Sequence, residues 1–182
     1  MQNQFTFLIP YLGFGTLVLN IATVLGFLLY FITKKLSKKS FFSKTGNFLS
    51  ENSIAITLLI STAATLSSLF LSEVVLFIPC KLCWYQRIVM YPQVVILGIA
   101  FFKNDAKVKL YSLVLSLIGF LIAIYHIALQ FYPGIFPCSD EVANCALKQF
   151  EYYGYITIPV MSASAFLAMI LVILFGLRKT TR

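Results

Sequence analysis

Five long apolar segments constrain this chain more than any other feature of its sequence. Each reaches or passes the roughly 18 to 20 residues that a helix needs to cross about 30 Å of hydrocarbon. Unpaired backbone groups are costly in lipid, so these segments should be helices, and the alternating pattern of a membrane barrel is absent. The segments run from Phe5 to Ile32, Ile54 to Phe77, Trp84 to Phe102, Leu110 to Phe131 and Ile156 to Leu177.

The composition agrees with a membrane protein. Of the 182 residues, 60% are hydrophobic and 11% are charged, whereas an ordinary soluble domain has roughly 45–50% apolar and about 25% charged residues. These figures also exclude a disordered chain, a coiled coil and a small secreted disulfide scaffold. We therefore predict an all-α integral membrane protein, a four-helix transmembrane bundle with one extra N-terminal transmembrane helix. Its predicted units are that extra helix at 1–33, a basic cytoplasmic linker at 34–52, the four-helix domain at 53–178 and a basic cytoplasmic tail at 179–182.

The basic residues predict how the chain crosses the membrane. The formal net charge is +8, and most of the 14 Lys and Arg residues follow the first span, separate the third from the fourth, or follow the fifth. The positive-inside rule places these segments in the cytoplasm, so the C-terminus faces inward and the other two loops face outward. A nucleic-acid partner is not expected, because the charges are scattered over short segments without a folded module.

All four cysteines fall in the two loops that we expect outside. Cys80 and Cys83 lie in the short loop between the second and third spans. Cys138 and Cys145 lie in the longer loop from about residue 130 to 155. Disulfides persist outside the cytosol, whereas cytosolic thiols are mostly kept reduced. The placement therefore indicates disulfide chemistry on the extracytoplasmic side.

The Cys-x-x-Cys pair is typical of a redox-active site. Cys83 lies at the start of the third span, where the positive end of the helix dipole favours a thiolate. Arg87 follows one turn later, about 6 Å deeper on the same face, and also favours a thiolate. Two structural disulfides remain an alternative, and a zinc site is a weaker one because no histidine flanks either pair. Trp84 stands where haem attachment would require a histidine.

Arg87 and His126 are ionisable residues within the third and fourth spans. Intramembrane ionisable groups are costly and are candidate functional residues. Both lie at a similar depth, just below Cys83, which suits a carbonyl-bearing molecule with a greasy tail such as a quinone. Trp84, Tyr85 and Met90 are candidates for lining its pocket, although Trp and Tyr also anchor helices at the membrane interface.

Three ordered motifs resemble the DsbB/BdbC family of disulfide-bond-formation proteins. The stretch PCKLCWYQRI, from Pro79 to Ile88, resembles the family signature. A second match runs from Tyr125 to Cys138 and contains YH and LQFYP, and a third runs from Cys145 to Pro159. Together they cover about residues 53 to 177, so the first span is additional to the family's four-span core. The resemblance implies a bacterial inner or plasma membrane and a protein-thiol:quinone oxidoreductase.

The resemblance also implies an order of thiol exchange. A reduced thioredoxin-fold oxidase, similar to DsbA, would attack Cys138 of a Cys138–Cys145 disulfide. Cys145 would then exchange with Cys80, leaving Cys83 as a thiolate against the quinone, which is ubiquinone or menaquinone. Arg87 and His126 would hold the quinone. The loop that carries Cys138 and Cys145 is short, which leaves open how far Cys145 must travel to reach Cys80.

Two alternatives remain at this point. A relative of vitamin K epoxide reductase also pairs a helical bundle with a Cys-x-x-Cys motif, but that motif lies near the end of its last core helix, whereas this one opens the third span. The other alternative is a non-enzymatic membrane scaffold with two structural disulfides. Redox lability distinguishes it, because structural disulfides usually resist reduction.

Overall fold

The computed structural model describes residues 6–35, 48–132 and 144–180 and consists of long helices. Five of the helices in these residues each contain a stretch long and apolar enough to cross a membrane, which confirms the predicted fold class. Most of the predicted linker, the last two residues of the predicted tail, and Cys138 lie outside the described residues. The helices are α1 (Ile9–Lys35), α2 (Ser53–Leu69), α3 (Lys81–Lys103), α4 (Val108–Phe131) and α5 (Ile158–Thr180).

Four of the helices close into a bundle, and the fifth lies outside it. In the bundle α2 packs against α3 and α5, and α4 packs against the same two helices. The extra helix α1 packs mainly against α5. The arrangement is therefore the predicted four-helix bundle with one added helix on its outer surface.

Close helix packing and buried polar contacts both join the bundle. Phe166 of α5 is fully buried against Gly119 of α4, where a Cβ atom would clash with the phenyl ring. Ser112 and Ser116 of α4 donate hydrogen bonds to Gln93 Oε1 of α3, at 2.6 and 3.2 Å. Small residues and polar contacts of this kind hold helices together in lipid, where the hydrophobic effect between helices is weak.

The end of α2 turns the chain sharply toward the cysteines. A π-helical turn, Phe70–Val74, extends α2, and Leu76 then adopts a left-handed conformation with φ of 62°. Such turns are frequent at functional sites. The chain reaches α3 with Cys80 as its extended N-cap residue.

The loop after α4 is tied back onto the same end of the bundle. Gln149 donates to the Ile78 carbonyl at 3.1 Å, and Thr157 donates to Gln130 Oε1 at 2.9 Å. The first contact joins the second cysteine loop to the first, and the second ties the end of that loop to α4. We call this region, where Cys80 and Cys145 lie, the cysteine end of the bundle.

Candidate active site

The paired thiols sit at the first turn of α3. Cys80 is buried and Cys83 is half-buried, and both are free thiols with sulfurs 3.2 Å apart. A disulfide requires about 2.05 Å between the sulfurs. The two side chains therefore need only a small movement to form the bond, which is what a redox-active pair requires.

His126 of α4 contacts this pair, and hydrogen bonds at both ring nitrogens fix the orientation of its ring. Its Nδ1 lies 3.3 Å from the Gln86 amide nitrogen, which only donates hydrogen bonds. Nδ1 is therefore the acceptor and Nε2 carries the proton. Nε2 lies 3.1 Å from the Cys145 carbonyl oxygen and 3.7 Å from the Cys80 sulfur. The histidine thus donates toward both cysteine loops from one nitrogen.

Cys145 is held close to the first pair. Cys145 is buried, and its sulfur forms a disulfide bond. Cys145 packs in one buried cluster with Cys80, and a cavity of about 30 Å³ is lined by Cys80, Cys83, His126 and Cys145. Cys145 therefore lies close to Cys80 in the structure.

A much larger cavity opens on the other side of Cys83. Its volume is about 430 Å³, within the range of small-molecule sites. It lies among α1, α2, α3 and α5, and most of its lining is apolar. Among its lining residues are Leu19, Leu59, Ile60, Ala64, Ser68, Leu71, Cys83, Gln86, Arg87, Met90, Tyr91 and Met161.

Arg87 forms the polar end of this cavity. Its Nε and Nη2 donate to the hydroxyl and the carbonyl of Ser68 at 3.0 and 3.1 Å, and Tyr91 also donates to that hydroxyl. The guanidinium lies 5.3 Å from the centre of the Trp84 ring. Ser68 uses only two of the five N–H groups, so others remain to donate to a ligand. No carboxylate in the described part of the chain pairs with this cation.

Cys83 is the sulfur shared by the two cavities. It lines the large one, with Arg87, and the small one, with Cys145. Cys80 lines only the small one. The pair is therefore arranged with one sulfur toward the second cysteine loop and the other toward the apolar cavity.

The family comparisons agree with this sulfur chemistry. A family model described as "Disulfide bond formation protein DsbB" matches residues 50–176. The chain belongs to the DsbB family. That DsbB match covers α2 to most of α5 and leaves α1 outside.

Curated relatives of this DsbB family member carry related names. Disulfide bond formation protein C of Bacillus subtilis is 47% identical over 115 residues, which cover 62% of this chain and 83% of that protein. Probable disulfide formation protein C 2 of Bacillus cereus is 39% identical over 131 residues, covering 71% and 94%. A probable disulfide formation protein of Oceanobacillus iheyensis is 39% identical over 154 residues, covering 82% and 98%. No solved structure gives a significant match.

In this DsbB family member the structure brings some of the predicted site residues together and separates others. Cys80, Cys83, His126 and Cys145 meet at the small cavity, whereas Arg87 lines the large one. Within the described residues His126 does not line the large cavity, because Gln86 stands between them. Met90 lines the large cavity, whereas Trp84 and Tyr85 are exposed on the bundle surface and absent from its lining.

Two residues of the site, Gln86 and Ser68, are not among those predicted from the sequence. Gln86 is a polar residue inside an apolar span, and such residues are often functional. Ser68 gave no signal, since serine is common in membrane helices. Its role appears only when the fold sets α2 beside α3.

A metal ion is the alternative occupant of the thiol site. The ligand atoms of Cys80, Cys83 and His126 lie within 4.8 Å of one another. The sequence offered no histidine next to either cysteine pair, and the fold supplies one from another helix. Three such ligands are the set of some catalytic zinc sites, so metal content belongs among the measurements on the purified protein.

The Cys80 thiol lies just before the membrane-spanning part of α3. Its hydrogen bond with Cys83 lowers the pKa of Cys80, and the contact with His126 lowers it further, against the opposing effect of burial. A lowered pKa means that the thiolate persists to lower pH. The reduced pair therefore holds a thiolate under conditions where an ordinary thiol, with a pKa of about 8.5, is mostly protonated.

This shift is measurable in a Cys138→Ala/Cys145→Ala protein, which retains only the first pair. We expect the ultraviolet absorbance of a thiolate to persist at pH 7 and to disappear only on further acidification. Cys83→Ala in the same background removes the hydrogen bond and should move the transition upward. A transition at the pH of a free cysteine in both proteins would contradict the assigned contact.

Proposed function

We propose that this chain is a protein-thiol:quinone oxidoreductase. It reoxidises an extracytoplasmic thioredoxin-fold oxidase, similar to DsbA, and so supports disulfide formation in exported proteins. The observation that carries the proposal is the position of Cys83 between the small cavity shared with Cys145 and the large apolar cavity. The family's name and the names of the relatives support the same chemistry.

The proposed relay follows the order of the sulfurs. The partner's thiolate attacks Cys138, and Cys145 leaves as a thiolate. Cys145 attacks Cys80, and the Cys80–Cys83 disulfide breaks with Cys83 as the leaving thiolate. The partner's second thiol then closes its own disulfide and frees Cys138, which reclaims Cys145 and leaves the first pair reduced. Thiolate attack and departure at each step are the normal course of such exchange.

The large cavity fits a quinone. The Arg87 guanidinium has free N–H groups for a ring oxygen, and the apolar remainder suits a tail. A quinone, ubiquinone or menaquinone, supplies a two-electron, two-proton acceptor for the reduced pair. Arg87 is therefore the residue that we assign to holding the ring, with Ser68 fixing its guanidinium.

His126 was also assigned to the quinone by the resemblance, and that assignment stays a prediction. Its contacts favour a role in the relay. The Nε2–H group that donates to the Cys145 carbonyl also faces the Cys80 sulfur. Held in this way, Cys145 stays beside the sulfur that it must attack, and charge on Cys80 is stabilised. Through Gln86, which lines the large cavity, His126 also remains one residue from a bound ring.

The proposed orientation in a bacterial inner or plasma membrane places the cysteine end outside and the C-terminus in the cytoplasm. The support is the distribution of Lys and Arg, which follows the positive-inside rule. The vitamin K epoxide reductase and scaffold alternatives receive no support from the comparisons. Disulfides that resist mild reduction would nevertheless favour the scaffold.

The test is anaerobic mixing of the purified full chain with a reduced thioredoxin-fold oxidase and a soluble quinone. We expect two partner thiols to be lost for each quinone reduced, and a metal chelator should not change this result. Ubiquinone and menaquinone analogues are compared in parallel. Absence of any quinone reduction, with the partner left reduced, would overturn the proposal.

A further inference from the structure

We infer that α1 forms one wall of a binding subsite for the isoprenoid tail of the quinone. The inference rests on the proposed function and extends it to a helix outside the family match. It assigns a role to the added span that neither the composition nor the motifs supply.

One face of α1 lines the large cavity. The residues recur every three or four positions, which places them on one side of a helix. Because α1 packs mainly against α5, the space between α1 and α2 remains open, and the cavity occupies it. The α1 lining consists of Tyr11, Leu12, Gly15, Thr16 and Leu19.

The helix is held in place by residues next to this face. Gly13 of α1 is buried, and a Cβ atom there would lie 3.4 Å from Tyr152 Cβ. Ile9 is buried in one apolar cluster with Leu71 and Val75. The wall is therefore fixed to the bundle at the cysteine end, beside the mouth of the site, rather than resting loosely in lipid.

The cavity is polar at one end and apolar along the rest of its length. Arg87 and Ser68 mark the polar end beside Cys83, whereas Leu19 and Leu59 lie among apolar side chains farther along the helices. The lining from α2 and the π-helical turn after it extends from Leu59 to Ser72, about 20 Å along the helix axis. A ring held at the polar end would therefore lead its tail between α1 and α2.

Gly15 gives direct experimental access to this wall. It lines the cavity, and a Cβ atom there would meet nothing within 4 Å, so a larger side chain has open space to occupy. Gly26 provides a matched control on the same helix. A Cβ atom there would also meet nothing within 4 Å, but Gly26 does not line the cavity.

The experiment compares Gly15→Phe and Gly26→Phe in the full chain. Quenching of the single tryptophan, Trp84, reports binding of two quinones that share a ring and differ only in having a tail. For Gly15→Phe we expect binding of the tailed quinone to weaken about tenfold, which is about 1.4 kcal/mol. Binding of the tailless quinone should change less than about twofold. Gly26→Phe should bind both as the wild type does.

Each outcome distinguishes this inference from the function on which it rests. Unchanged binding of the tailed quinone to Gly15→Phe, or equal weakening for both quinones, would overturn the tail subsite and leave the proposed function intact. A wild-type protein that binds neither quinone would overturn both. Gly15→Leu serves as a milder variant if Gly15→Phe does not fold, with a smaller loss in the same direction. Exchange with the partner in the absence of quinone should be unchanged in Gly26→Phe.

Discussion

Replacing Cys83 with serine should lower the rate of quinone reduction by more than about 10³-fold. This is the scale of loss seen when an enzyme loses its nucleophile. The reason is its position, because Cys83 is the member of the first pair that lines the large cavity. A hydroxyl neither forms the disulfide with Cys80 nor leaves as a thiolate. Reduced partner should then accumulate, which is measured by thiol titration and by quinone absorbance in the same mixture.

Binding provides the control for Cys83→Ser. Serine is nearly the same size, and the residues that we assign to the ring and tail are unchanged. Quenching of Trp84 by a tailed quinone should therefore remain within about twofold of wild type. Loss of turnover with binding retained would identify a chemical role for the sulfur. Turnover equal to wild type would refute the assignment of Cys83 to the electron-transfer step.

The membrane fold could be predicted from the sequence because lipid imposes a simple rule. A segment such as Leu110 to Phe131 must be long, apolar and helical to cross the bilayer, and α4 has those properties. Helical spacing alone predicts that Cys83 and Arg87 lie close together, since residues four apart share a face. Both features are local in sequence, which is why hydropathy and periodicity could predict them.

The contacts between helices could not be predicted in the same way. Hydropathy does not determine which faces of α3 and α4 meet, so the joining of Gln86, His126 and the Cys145 carbonyl appears only in the fold. The similar depth of Arg87 and His126 predicts one shared pocket. Their rotation about the helix axes places them at different cavities. Depth follows from residue number, whereas rotation depends on long-range packing.

A partner variant with a single active-site thiol should become covalently attached to this protein, and the complex should contain a Cys80–Cys145 disulfide. The single thiolate opens the proposed Cys138–Cys145 disulfide but lacks the second thiol needed to release itself. The freed Cys145 lies in one buried cluster with Cys80. When the first pair is oxidised, Cys145 attacks Cys80 of the Cys80–Cys83 disulfide and Cys83 leaves as a thiolate. Cys145 is then no longer available to expel the partner. Non-reducing electrophoresis measures the adduct, and mass spectrometry of its peptides identifies the new bond.

Cys80→Ala tests whether that transfer stabilises the adduct. With no sulfur to attack, the Cys145 thiolate remains beside the mixed disulfide and reverses it, so the amount of adduct should fall by about tenfold, a shift of about 1.4 kcal/mol. His126→Phe keeps both sulfurs and removes the donor to the Cys145 carbonyl, so the Cys80–Cys145 bond should form more slowly with the same end point. Equal adduct in wild type and Cys80→Ala, without a Cys80–Cys145 peptide, would show that electrons reach Cys83 by another route. The proximity of the two loops would then stabilise the fold without carrying the exchange.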